Sequence, residues 1–275
     1  MYYLKNKKEM LGFSSLRSYP NIFHFTTTRN GGVSKNSYAF LNGSYFSGDS
    51  ENNVDKNWEK ILSYSEEQPR YIACPYQIHS DTICVVDNDF FFLSPDDQED
   101  ALHGVDALIT KEENVLITVA TADCVPVTLF DPKAEVIAVV HAGWRGTVKN
   151  IIGKTIETLI EEFNSNPQDL LCCIGPSISL MAFEVGNEVV DLFSSQGFMM
   201  EEIAFFNRET QKYHIDLWKA NSILLEEAGV LSENISCSGI CTYSEYHHFF
   251  SARRLGIKSG RMITGIMLKK NNYEI

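Results

Sequence analysis

Two patterns of apolar residues alternate along the chain, and they predict different elements. Short runs rich in β-branched residues at 83–86, 115–121, 126–130, 135–141 and 262–268 predict buried strands. After residue 147 the pattern changes: Val148, Ile151, Ile152, Thr155, Ile156, Leu159, Ile160 and Phe163 recur at three- and four-residue steps, which predicts a helix with one face on a sheet. Further helices are expected over 52–64, 187–195 and 216–228, the last stopped by Gly229. The stretch S-P-D-D-Q-E-D at 94–100 reads as a polar, acidic loop. Strands spread through the chain and interleaved with helices argue for an α/β class. Without internal repeats or a long linker, residues 1–275 are expected to form a single domain.

Composition narrows the class of function. A formal net charge of -13 repels nucleic acid and anionic membrane, yet a local group of arginines can still hold a small anion. No apolar run approaches the roughly 20 residues that span a bilayer, and the N-terminal segment lacks a signal-type apolar core, so a cytoplasmic location is expected. Seven cysteines without paired C-x-x-C spacing suit neither a disulfide framework nor a zinc ribbon.

Three segments carry candidate chemistry. In V-H-A-G-W-R-G-T at 140–147, His141 stands where a strand emerges, and Gly143 and Gly146 allow close backbone approach ahead of a helix. Arg145 adds a planar cationic fork suited to phosphate or carboxylate. The bland alternative is a tight turn packed by Trp144. In T-A-D-C-V-P at 121–126, Cys124 is a nucleophile, a metal ligand or simply a small core residue. In Y-Q-I-H-S-D at 76–81, His79 is a capping histidine unless other donors converge on it. Taken together, two imidazoles and a thiolate make a zinc site with a fourth position open, the catalytic rather than structural pattern. Arginines at 29, 253, 254 and 261 are supporting candidates, with surface ion pairs as their ordinary alternative.

With these segments in view, the chain resembles the YfiH-type laccase-domain family. The motifs run in order over nearly its full length: T-R-N-G-G-V-S (28–34), V-D-K-N (54–57), Q-I-H (77–79), D-A-L-I-T (106–110), T-A-D-C-V-P (121–126), H-A-G-W-R-G-T (141–147), I-G-P-S-I (174–178), F-E-V-G (183–186), F-F-S-A-R-R (249–254) and Gly260 with Arg261. The resemblance implies one α/β domain of mixed β-sheets layered between helices, similar to some cysteine hydrolase folds. It also implies zinc ligands at His79, Cys124 and His141, with copper able to occupy the same site. Ser80 departs from the glycine usual after the first histidine, and Ala252 from the aromatic usual before the arginine pair.

The activity the resemblance implies is a zinc-dependent purine nucleoside phosphorylase acting on adenosine, inosine and methylthioadenosine, with adenosine deaminase activity. Its partners would be a purine nucleoside and phosphate. In that reading Asp123 or Asp106 shuttles a proton, and Arg29, Arg145 and Arg254 hold the phosphate. Two other readings compete: a metal-free cysteine hydrolase or deamidase using Cys124 and His141, and a copper-dependent polyphenol oxidase. Seven histidines without a His-x-His pair argue against a multicopper cluster, which needs several more imidazoles.

Overall fold

A computed structural model describes residues 1–270. Its strands form two six-stranded sheets and one of three. In spatial order the first sheet holds Tyr2–Tyr3, Met10–Gly12, Ile22–Thr27, Met262–Leu268, Val115–Thr121 and Tyr71–Ala73. The second holds Ile235–Cys237, Leu171–Ile174, Val125–Asp131, Val136–Ala142, Ala107–Thr110 and Ile83–Val85. Both are mixed: the first is antiparallel except where Tyr71–Ala73 joins Val115–Thr121 at one edge, and the second is antiparallel inside with a parallel pair at each edge.

The two large sheets lie face to face between helices. Ile117, Val119 and Ile266 of the first meet Phe130, Ile137 and Val139 of the second in a common core. On the outer face of the first sheet, Leu116, Ile263 and Met267 pack against Val54, Trp58 and Ile61 of the helix Glu51–Leu62. On the far face of the second, Val127, Ala138 and Val140 pack against Ile152, Ile156 and Leu159 of the helix Ile151–Phe163. Leu224, from the helix Leu217–Glu227, joins the same cluster. Successive strand residues therefore feed two different cores, which explains the unbroken apolar runs in the sequence. Each buried Val, Leu or Ile contributes about 1.5–3 kcal/mol through area removed from water. Among the described residues, no helix is long and apolar enough to cross a membrane.

Two local expectations are corrected. The acidic stretch at 94–100 is not a loop: Ser94 Oγ accepts from Asp97 N (3.2 Å), Pro95 fills the first turn, and a helix runs over Pro95–Ala101. Capping residues and first-turn carboxylates support it without an apolar stripe. The helix expected from 148 is two helices, Trp144–Val148 and Ile151–Phe163, parted at Asn150. Asn150 adopts a left-handed backbone (φ 57°), and its Oδ1 accepts from Gly153 N (3.0 Å) to start the second helix.

Candidate metal centre

Strand register brings the donors together. Val125 pairs with Ala142 and Pro126 with His141, so Cys124, one residue before Val125, arrives beside the end of the strand that carries His141. On its other side that strand pairs Val140 with Ala107, which sets Asp106 next to His141; His141 N donates to Asp106 O (2.7 Å). Ile83 pairs with Ala107 in turn, so the segment 78–82 returns to the same end of the sheet. There the ligand atoms of His79, Cys124 and His141 all lie within 4.8 Å of one another.

Asp106 organises this cluster. It is fully buried, and its Oδ1 lies 2.6 Å from His141 Nδ1. The same carboxylate accepts from the backbone N–H groups of Ile78 (3.3 Å), His79 (3.2 Å) and Ser80 (2.6 Å). These bonds hold His79 in a left-handed conformation (φ 62°) that a non-glycine residue adopts only when its surroundings enforce it. Ser80 adds a hydroxyl 2.7 Å from Asp106 Oδ2. One buried carboxylate thus fixes the tautomer of His141 and the path of the loop that carries His79.

The electrostatics follow from that packing. Burial pushes the Asp106 carboxyl up, but the His141 ring and the Ser80 donors outweigh it and hold the carboxyl below its usual range. Burial likewise opposes ionisation of Cys124, yet the imidazoles of His141 and His79 prevail and favour the thiolate. Against its own burial, His141 is raised by Cys124 and Asp106. With Nδ1 given to Asp106, His141 presents Nε2 to the cluster. Two imidazoles, a thiolate and a carboxylate behind one ring fit a zinc-type ion with an open position.

The motif at 140–147 is explained by space as well as by turning. A Cβ added to Gly143 would stand 3.0 Å from Cys124 Sγ and 3.1 Å from His79 Cδ2, so only glycine lets the chain pass this close to the donors. The cluster opens into a cavity of about 460 Å³ whose wall includes Phe46, Tyr76, Trp144, Phe183, Arg253 and Arg261. Ala252, with its small side chain, also lines it.

Of the arginines the sequence offers, Arg253 and Arg261 line this cavity, whereas Arg29, Arg145 and Arg254, the three expected to hold phosphate, do not. Arg29 donates through Nε to Ala39 O (2.7 Å) and through Nη1 to Tyr246 O (2.8 Å), over the ring of Phe250. Arg145 is exposed and lies over Trp144. Arg254 is exposed over Tyr246. In the short helix Ala252–Leu255 consecutive side chains diverge by about 100°, so Arg253 faces the cavity and Arg254 turns away. Asp123 does line the cavity, with a left-handed backbone (φ 92°). Its carboxylate accepts from Thr242 Oγ1 (2.7 Å), Ser251 Oγ (3.0 Å) and Arg253 N (2.7 Å), tying the C-terminal segment to the residue before Cys124.

Residues 23–269 match the family described as multi-copper polyphenol oxidoreductase laccase. The chain belongs to this family. A member from Bacteroides thetaiotaomicron named purine nucleoside phosphorylase is 44% identical over 270 residues, 98% of this chain and 100% of that protein. A protein named adenosine deaminase RL5, from an unknown prokaryotic organism, is 40% identical and covers 95% of this chain and 98% of its own. The crystal structure of the Bacillus licheniformis hypothetical protein YfiH superimposes with a TM-score of 0.86 at 30% identity, covering 96% of this chain and 98% of the other. YfiH-type membership and mixed sheets layered between helices therefore stand as read from the motifs. Among the described residues, His79, Cys124 and His141 are the one group of His, Cys and carboxylate donors spaced to hold an ion. Elsewhere His24 bonds to Phe13, His214 to Leu180 O and His248 to Asn30, so the imidazoles of a multicopper cluster do not converge.

Proposed function

We propose that this enzyme processes purine nucleosides at the cavity beside His79, Cys124 and His141, as a zinc-dependent purine nucleoside phosphorylase that also deaminates adenosine. The observation that carries the reading is an open three-donor cluster, braced by Asp106, at the floor of a cavity lined by aromatic and guanidinium groups. The names of two full-length relatives support the same substrate class. Adenosine, inosine and methylthioadenosine are the nucleosides we expect, and about 460 Å³ lies within the usual range for such ligands. We take residues 1–275 as one domain, because both large sheets share a core. Seven free thiols suit a reducing, cytoplasmic compartment.

In phosphorolysis a phosphate oxygen bonds to C1′ of the ribose as the bond from C1′ to N9 breaks, and the purine leaves with the electron pair and takes up a proton. In deamination water adds at C6 and ammonia departs. Zinc held by His79, Cys124 and His141 would supply Lewis acidity to either reaction. The rings of Phe46, Tyr76 and Phe183 offer flat surfaces to the base. Asp106 keeps His141 in one orientation, and the three hydrogen bonds to Asp123 support a positioning role for it over proton transfer.

Chromatography of products from adenosine and metal-quantified protein, with and without phosphate, tests the reading. Phosphate-dependent adenine with ribose 1-phosphate, together with inosine, is expected. Cys124→Ala should lose retained zinc and both products; full activity in that variant would sink the proposal. The arrangement of Cys124, His141 and Asp106 also suits a nucleophile, a base and its orienting carboxylate, so a cysteine hydrolase is the second reading. Alkylation separates the two: a thiolate held by zinc resists the reagent until a chelator is added, whereas a free nucleophile reacts at once.

A further inference from the structure

Arg261 lines the cavity that holds the three metal donors, and it has no acidic partner among the described residues. Its side chain is fixed by the chain itself. Nη1 donates to Ser259 O (2.6 Å) and Gly260 O (3.1 Å), and Nη2 to Ile257 O (3.0 Å). Its main chain is held as firmly, since Arg261 N donates to Asn42 Oδ1 (2.9 Å) and Arg261 O accepts from Gly43 N (3.2 Å). Neutral carbonyls satisfy part of the fork without cancelling its charge, and Nε makes no hydrogen bond among the described residues. Burial works against the charged guanidinium, while the negative charges of Cys124 and Asp123 favour it. Asp123 is already committed to Thr242, Ser251 and Arg253 N.

A half-buried cation without a counter-ion is costly, and the cost falls when an anion of the ligand completes the pair. Arg29, Arg145 and Arg254 do not offer this arrangement, because none of them lines the cavity and each rests against an aromatic ring. Arg253 does face the cavity but is exposed, with Nη1 directed at Glu184 O (3.1 Å). We propose that Arg261 is the anion-binding residue of this site and holds orthophosphate beside the nucleoside, with Arg253 at the rim as a secondary contact. The proposal rests on the phosphorylase reading for the identity of the anion, and on the unpaired guanidinium for its place.

The test is steady-state kinetics of zinc-loaded Arg261→Gln, varying phosphate and adenosine in turn. Losing a charge-assisted pair raises the phosphate KM about tenfold or more, and by more than it raises the adenosine KM. A phosphate KM unchanged from the parent protein overturns the assignment. If the parent enzyme itself yields no phosphate-dependent product, the phosphorylase reading fails, and calorimetric titration with orthophosphate then decides the subsite alone. Binding lost in Arg261→Gln upholds it, and equal binding in both proteins refutes it. Should Arg261→Gln not fold, Arg261→Lys keeps the charge but loses the fork, and a phosphate KM equal to that of the parent protein again overturns the proposal.

Discussion

At the scale of single residues, the donors of the candidate site were legible, and Asp106 was singled out for proton transfer rather than for the organising role the structure gives it. His79, Cys124 and His141 each have an ordinary structural reading alone, and stand out because together two imidazoles and a thiolate make a three-ligand set with an open position. Asp106 precedes an apolar strand as many aspartates do, and nothing in its sequence context signals that four donors from residues 78–80 and the His141 ring converge on it. That convergence depends on the pairing of Val140 with Ala107, a long-range register. Asp106→Asn keeps the volume but removes the negative charge behind His141. Zinc affinity, measured by competition with a chelating dye, should fall about 10–100-fold, the usual effect of losing a carboxylate behind a ligating histidine. An unchanged affinity would mean that His141 is oriented by its strand alone. Which arginines face the cavity was not legible for a different reason: their direction depends on helical phase and on aromatic neighbours that no motif displays.

At the scale of elements, helices with an apolar face were predicted nearly to their ends, because burial of that face is what stabilises them. Residues 187–195 show this best, matching the helix Asn187–Ser195. Pro95–Ala101 was missed because capping, rather than burial, sustains it. The break at Asn150 was hidden inside a continuous apolar stripe, since both helices place their faces on the same sheet. Asn150 serves there in two ways, tolerating the left-handed backbone and capping Gly153 N. Asn150→Ala loses both and should lower stability by about 1–2 kcal/mol, while Asn150→Gly should cost only a few tenths. Urea denaturation of the two variants measures the difference. Equal losses would show that the cap, and not the backbone conformation, dominates at this junction.

At the scale of the whole molecule, the layered cores govern how stability responds to acid. His24 lies on the strand Ile22–Thr27 and is 5% exposed, with Nε2 accepting from Phe13 N (3.1 Å). Burial lowers its pKa from 6.5 to about 4, outweighing the nearby Phe13 O (3.2 Å from Nε2), which favours the protonated ring. The folded protein therefore keeps this ring neutral through a range in which the unfolded chain protonates it. Above about pH 6.5 the ring is neutral in both states and imposes no penalty. As the pH falls from there towards 4, protonation stabilises only the unfolded chain, and folding stability declines by about 3 kcal/mol at one pKa unit per 1.36 kcal/mol. Asp106, whose pKa is depressed, adds a loss only further into acid, at and below the ordinary carboxylate range. His141 acts in the opposite sense when no metal is bound: its raised pKa gives stability below pH 6.5 that is lost as the solution turns alkaline. The share of the acid-side slope that belongs to His24 can be isolated by His24→Gln, which can still accept from Phe13 N but does not titrate. Denaturant midpoints taken across pH 7 to 4 should show the parent protein losing stability relative to this variant. Parallel curves would mean that the His24 ring takes up its proton without unfolding the chain, and that the strand Ile22–Thr27 yields locally to let water reach it.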